Sequence, residues 1–243
     1  MSKLIIPTVK SIKSDDSKSS TITIAPLQSG YGRTLGNSIR RVLLSSIPGA
    51  GVTGFSIEGV SNEFSTIDGV LEDVVDITLA IKQLRFSSEN DEPVVLQISK
   101  KGKGEVTGAD ISKQSGIEVA NPDLVICHLT DSKSSINIEL QVEKGVDYLR
   151  AAEQQNLPTN MIPLDTVFSP VTRVRFQVKD TREGQNTKLD ELSIVIDTDG
   201  SITAENAFET ACGTLMQQYQ ILAGKAADSF DLTEQINEGT LSP

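Results

Sequence analysis

Few residues in this 243-residue chain have types and spacing suited to chemistry. The stretch Tyr31 to Ser46 reads YGRTLGNSIRRVLLSS, with three arginines and no acidic residue. It is not a phosphate loop. That motif needs Gly-x-x-x-x-Gly-Lys-Ser/Thr, whereas Asn37 follows Gly36 and the spacing of Gly30, Gly32 and Gly36 is wrong. The only histidine, His128, lies inside the apolar run LVICHLT. Its neighbour Cys127 would point to the opposite face of a strand, so the two do not form a natural dyad, and no nucleophile context surrounds them. Cys127 and Cys212 lack metal-ligand spacing and read as buried free thiols of a reducing compartment. Glu58, Glu63, Asp68, Glu72, Asp73 and Asp76 precede Lys82 without a basic residue among them. They lack the order of a calcium loop and read as a solvated acidic face or an electrostatic partner surface. KKGKGEVTG, Lys100 to Gly108, reads as a hairpin turn with solvated lysines. These patterns predict no catalytic residue, no metal site and no cofactor.

The tandem Arg40-Arg41 is the strongest signal. Leu35, Ile39, Val42, Leu43 and Ile47 recur at helical spacing and predict an amphipathic helix over 34–47, with Thr34 as N-cap and Pro48-Gly49 as stop. Adjacent helical residues point about 100° apart, so both arginines project off the apolar stripe. Arginine is favoured at interfaces because its planar fork makes several fixed hydrogen bonds. A solubilising helix face is the plain alternative. The absence of a carboxylate in residues 31–46 favours a partner that supplies the negative charge.

The elements that position this helix follow from periodicity. TITIAPL alternates as a half-buried strand, Gly51 to Val60 is strand-like, and Val70, Val74, Ile77 and Ile81 share a helical face. Residues 86–143 read as short strands, 145–164 as a loop, and SPVTRVRFQVKDTR and LDELSIVIDT as two further strands. Thr203 caps a last helix that carries Phe208, Leu215, Tyr219 and Leu222 on one face. Two long helices thus bracket a strand-rich middle, which predicts a discontinuous domain made by both chain ends with a β-rich domain inserted. The net charge of −11 argues against general nucleic-acid binding. The N-terminus is no signal peptide and no run approaches a membrane span, so a cytoplasmic protein is expected.

The stretch GYGRTLGNSIRRVLLSSIPGAGVTGFSIEGVSNEFSTIDGVLEDVVDI resembles the signature of the bacterial RNA polymerase alpha subunit N-terminal domain. VICHLTD, FSPVTRVRFQV, LDEL and TDGSIT extend the resemblance over about residues 20–225 in the family's order. It implies an α+β fold of two subdomains: a dimerisation subdomain from 1–48 and 171–230, and an inserted β-rich subdomain from 49–170. It also implies a scaffold, with no active site of its own, that dimerises and recruits the beta and beta-prime subunits for DNA-directed RNA synthesis. Carried over by position, Arg41 and Leu44, with Arg40, Asn37 and Thr34 beside them, would contact beta. Arg182, Glu183, Gln185, Lys188 and Leu189 would contact beta-prime. Leu35, Ile39, Leu43, Phe208, Leu215, Tyr219 and Leu222 would form the dimer interface.

REGQNTKLDEL departs from the family's common Arg-Val-Gly-Gln-x-Thr-Asp-Leu-Asp, with Glu183 and Lys188 reversing the local chemistry. This suggests a specialised or paralogous alpha that prefers a different alpha as its mate, so the expected partner is an alpha subunit, in a homodimer or in a heterodimer with a second alpha. Residues 231–243 would begin the linker to a promoter-binding domain, and no direct DNA binding is expected of this segment. A free-standing dimeric interaction protein outside the polymerase is the alternative function.

Overall fold

The computed structural model describes residues 6–13, 18–60, 62–154, 157–184 and 186–224; Gln185 and the expected linker at 231–243 lie outside them. The fold is α+β, and every strand pairing among the described residues is antiparallel. A four-stranded sheet has the order β1 (Thr8–Lys13), β2 (Ser19–Gln28), β14 (Asn186–Thr198), β13 (Val171–Glu183). Residues far apart in the chain meet here: Ile22 pairs with Ile194. Helices α1 (Tyr31–Ser45) and α3 (Ala204–Ala223) contact each other and this sheet. The alternation of β2 and β14 explains the burial. Ile22 and Ile24 of one strand, and Leu192, Ile194 and Ile196 of the other, all turn inward.

A larger sheet has the order β5 (Val94–Lys101), β9 (Ser135–Gly145), β3 (Gly49–Ile57), β4 (Phe86–Ser88), β7 (Ile117–Val119), with β11 (Ile162–Pro163) also paired to β3. Two ribbons accompany it: β6 (Gly104–Thr107) with β8 (Val125–Leu129), and β10 (Tyr148–Leu149) with β12 (Thr166–Val167). Helix α2 (Val74–Ile81) packs on β8. The buried apolar residues fall into two clusters. One draws on residues between Ala50 and Leu164. The other draws on Ile22 to Ile47 together with Val171 to Ala211. An ion pair spans them, Arg85 Nε to the nearly buried Asp199 Oδ2 at 3.4 Å.

Four local expectations need correction. Helix α1 starts at Tyr31, so Thr34 lies inside its first turn and is not its cap; Gly30, at φ 86°, holds that place. A left-handed φ suits glycine, which has no Cβ to clash. Helix α2 starts at Val74, where the Asp73 carboxylate accepts the Asp76 N–H at 2.8 Å. Val70 therefore precedes the helix and bridges Leu129 instead. Lys100 to Gly108 is not a hairpin, because β5 pairs with β9 and β6 with β8. Lys100 is not freely solvated either: its Nζ meets Asp110 Oδ2 at 2.6 Å. The segment 145–164 is not a plain loop, since it holds β10, β11 and a short 3-10 turn. At α3 the expected cap is present, with the Asn206 N–H donating to Thr203 Oγ1 at 3.2 Å.

Candidate functional site

Helix α1 divides cleanly by face. Gly32, Gly36, Ile39 and Leu43 are buried against the four-stranded sheet. Burying Ile39 and Leu43 is worth about 2 kcal/mol each. The two glycines set the closeness of approach. A Cβ at Gly36 would lie 2.7 Å from the Phe176 ring, and one at Gly32 would lie 2.8 Å from Val178 Cγ1. Glycine here lets the helix backbone lie close against Phe176 and Val178 of β13.

The N-terminus of α1 has no cap from its own side chains. Asp190 supplies it from β14. Its Oδ2 accepts the N–H groups of Gly30 at 2.9 Å and Gly32 at 3.0 Å. Asp190 lies on the same strand face as Leu192, Ile194 and Ile196 and is 7% exposed. A carboxylate there satisfies two donors that helix geometry leaves open and complements the positive end of the helix dipole.

The opposite face is open. Arg33, Thr34, Asn37, Arg40, Arg41 and Leu44 are all exposed. Thr34 Oγ1, Asn37 Nδ2 and Ser45 Oγ turn back to carbonyls of their own helix, those of Gly30, Arg33 and Arg41. Arg33, Arg40 and Arg41 have no ion-pair partner among the described residues. Three guanidinium groups therefore stand on one helix with their charge uncompensated locally. The sequence placed Thr34, Asn37, Arg40, Arg41 and Leu44 together, and they share this face.

The residues expected between two copies separate into three groups. Ile39 and Leu43 are 4% and 0% exposed and belong to the chain's own core, so they are closed to a second copy in this fold. Phe208 is buried at 9%, and Leu35 and Leu215 are half-buried against the same cluster. Tyr219 and Leu222 are 56% and 79% exposed, and Met216 and Ile221 stand open beside them. The first half of α3 is therefore core and the second half an uncovered apolar surface. The sequence missed Met216 and Ile221 because they fall off the stripe that continues the buried one.

Arg182 and Glu183 end β13 and Lys188 lies near the start of β14, all three exposed at the tip of one long hairpin. Leu189 is 2% exposed and so offers no open surface. Gln185 lies outside the described residues.

The acidic segment is not uniformly solvated. Glu72 is bound by His128 through ring and backbone, Asp73 caps α2, and Glu58 Oε2 accepts from Asn137. Phe64, Leu71 and Leu79 are exposed at 80%, 70% and 54% in this region. Single apolar residues are common on protein surfaces, so nothing in the spacing of these three marks them in the sequence. Cys127 is buried and Cys212 half-buried, both as free thiols. Burial, then the Glu72 charge, pushes the Cys127 thiol up to about 12. Among the described residues no group of three or more His, Cys, Asp or Glu side chains could hold a metal ion, and no helix is long and apolar enough to cross a membrane.

Comparison with known proteins places these features. The family model described as the RNA polymerase Rpb3/RpoA insert domain matches residues 55–169. The DNA-directed RNA polymerase subunit alpha of Corynebacterium jeikeium is 49% identical over 205 residues, covering 84% of this chain and 60% of that protein. The subunit alpha of Roseiflexus sp. is 47% identical over 200 residues, covering 82% and 62%. That of Oceanobacillus iheyensis is 42% identical over 221 residues, covering 90% and 70%. The chain thus spans about three fifths of the length of the first two relatives. The arginine helix, the strand-rich middle and these identities meet in one conclusion: the chain belongs to the RNA polymerase alpha subunit family.

Proposed function

We propose that this chain is an assembly scaffold of a DNA-directed RNA polymerase, dimerising and then recruiting the beta and beta-prime subunits. Catalysis of RNA synthesis resides in those partners. The observation that carries the reading is the open face of α1, where Arg33, Arg40 and Arg41 stand without local counter-charge. Thr34, Asn37, Arg40, Arg41 and Leu44 form the beta contact, with Arg41 and Leu44 at its centre. A desolvated arginine anchor on a rigid helix suits a permanent protein interface.

The dimer joins the uncovered end of α3, from Leu215 through Tyr219 to Leu222, with Leu35 and Phe208 at its edge. Obligate dimer interfaces are richer in apolar residues than ordinary surface, which fits this stretch. The hairpin tip bearing Arg182, Glu183 and Lys188 is the beta-prime contact. In this reading 1–48 with 171–230 is the dimerisation subdomain, 49–170 the insert, and 231–243 the start of a linker. The two separate apolar clusters support that division.

The test is Arg41→Ala in a reconstitution with beta and beta-prime. Light scattering should give the wild-type dimer mass, while beta capture weakens by about 2 kcal/mol or more, as for a central arginine anchor. Beta capture at wild-type affinity would sink the assignment. Failure to dimerise would show that the face serves the mate instead.

A further inference from the structure

The chain's single histidine stands outside the surfaces assigned above. His128 lies on β8, and its ring Nδ1 is hydrogen-bonded to Glu72 Oε1. Its backbone N–H donates to the other oxygen, Glu72 Oε2, at 2.7 Å. One residue thus engages both carboxylate oxygens. The ring's Nε2 faces Glu105 Oε1 of β6 at 3.7 Å. Glu72, from the segment before α2, and Glu105 are the charged groups that face the ring. Cys127, beside it on β8, is buried on the other side.

Glu72 belongs to a loop closed at its base by the Val74 N–H donating to Ser65 O and by a bridge between Thr66 and Asp73. The loop is pinned to β8 along one flank. The Leu71 N–H donates to His128 O at 3.0 Å, and the Thr130 N–H donates to Gly69 O at 2.9 Å. Those backbone bonds do not titrate; the Glu72–His128 bond does. The loop carries Leu71, exposed at 70%, and Phe64, exposed at 80%, immediately precedes its base.

We propose that Glu72 and His128 form a proton-operated latch: a protonated His128 clamps residues 69–72 to β8, and loss of its proton loosens the clamp and the apolar loop it holds. A protonated imidazole donates from both nitrogens, one toward each carboxylate, whereas the neutral ring donates from only one. The remaining lone pair then faces a carboxylate. Loss of the proton removes the ion pair with Glu72 and the attraction of Glu105, and leaves one hydrogen bond from a neutral ring to the carboxylate, so the clamp weakens.

The hydrogen bond to Glu72 raises the His128 pKa above its ordinary 6.5, against the smaller opposing pull of desolvation. Desolvation pushes Glu72 up, but its hydrogen bonds from His128 outweigh that and leave it below its usual range. Glu72 therefore stays charged throughout. A raised histidine pKa means the clamp is complete below 6.5 and is lost as pH rises through the raised value. This inference does not depend on which partner uses the loop.

The lone imidazole gives a single resonance, so its titration can be read directly by NMR on the 243-residue chain. Amide exchange at Leu71 and Thr130, corrected for intrinsic rate, is followed from about pH 5.5 to about pH 9, the range that brackets histidine. The wild-type midpoint should lie above 6.5. Protection should fall through that midpoint, by about tenfold for each pH unit separating the closed and open pKa. Glu72→Gln should lower the midpoint and make protection weak and independent of pH. Glu105→Gln should lower the midpoint less. A flat wild-type protection profile across the His128 titration, or a midpoint that Glu72→Gln leaves in place, would overturn the latch. If Glu72→Gln does not fold, the wild-type profile decides alone.

Discussion

Removing the Asp190 carboxylate should loosen the helix that carries the arginine face. In Asp190→Ala the N–H groups of Gly30 and Gly32 both lose their acceptor. Gly30 is exposed, so water replaces the lost bond there at little cost. Gly32 is buried, and an unmet buried donor costs about 1–3 kcal/mol. Loss of a negative charge at a helix N-terminus adds about 0.3–1 kcal/mol. The sum is a destabilisation of about 1.3–4 kcal/mol, a large share of the roughly 5–15 kcal/mol of a typical domain. Asp190→Asn keeps one carbonyl acceptor without the charge and should lose about 1 kcal/mol. Urea unfolding followed by far-UV circular dichroism measures both, with amide exchange in α1 locating the loss. An alanine variant within about 0.5 kcal/mol of wild type, the range of an ordinary surface change, would refute the capping argument. So would an asparagine variant as unstable as the alanine one.

Two further outcomes follow from packing and burial. Gly36→Ala should destabilise by up to about 2 kcal/mol in urea unfolding, because overpacking costs about 1–3 kcal/mol and the helix-propensity gain returns about 1. A stabilised variant would mean that the Phe176 ring, 2.7 Å from the added methyl, moves aside freely. Cys127 should resist alkylation at neutral pH until the chain unfolds, since its thiol is buried and pushed up to about 12. Labelling at equal rates with and without denaturant would contradict that burial.

The amphipathic arginine helix, the alternating strands and the strand-rich middle were legible in the sequence, because each depends on a local period of burial that side-chain chemistry enforces. The exposure of Arg40 and Arg41 followed from the 100° step of a helix and needed no tertiary information. The exact cap did not follow. Thr34 had the right chemistry for an N-cap, but Asp190, 160 residues away from Gly30, took the role because β14 pairs with β2 and brings its carboxylate to the helix start.

Long-range pairing likewise decided that Lys100 meets Asp110 and that β5 and β6 part into different sheets. It also decided which apolar residues are core and which are surface. Leu43 and Leu222 look alike on a helical wheel, yet one is sealed against strands and the other stands open at the end of α3. Periodicity sets a residue's direction along its own element; what waits in that direction is set by the rest of the chain. The meeting of Glu72 and His128 belongs to the second kind, since 56 residues separate them and only the packing of the α2 segment on β8 brings a carboxylate to the imidazole.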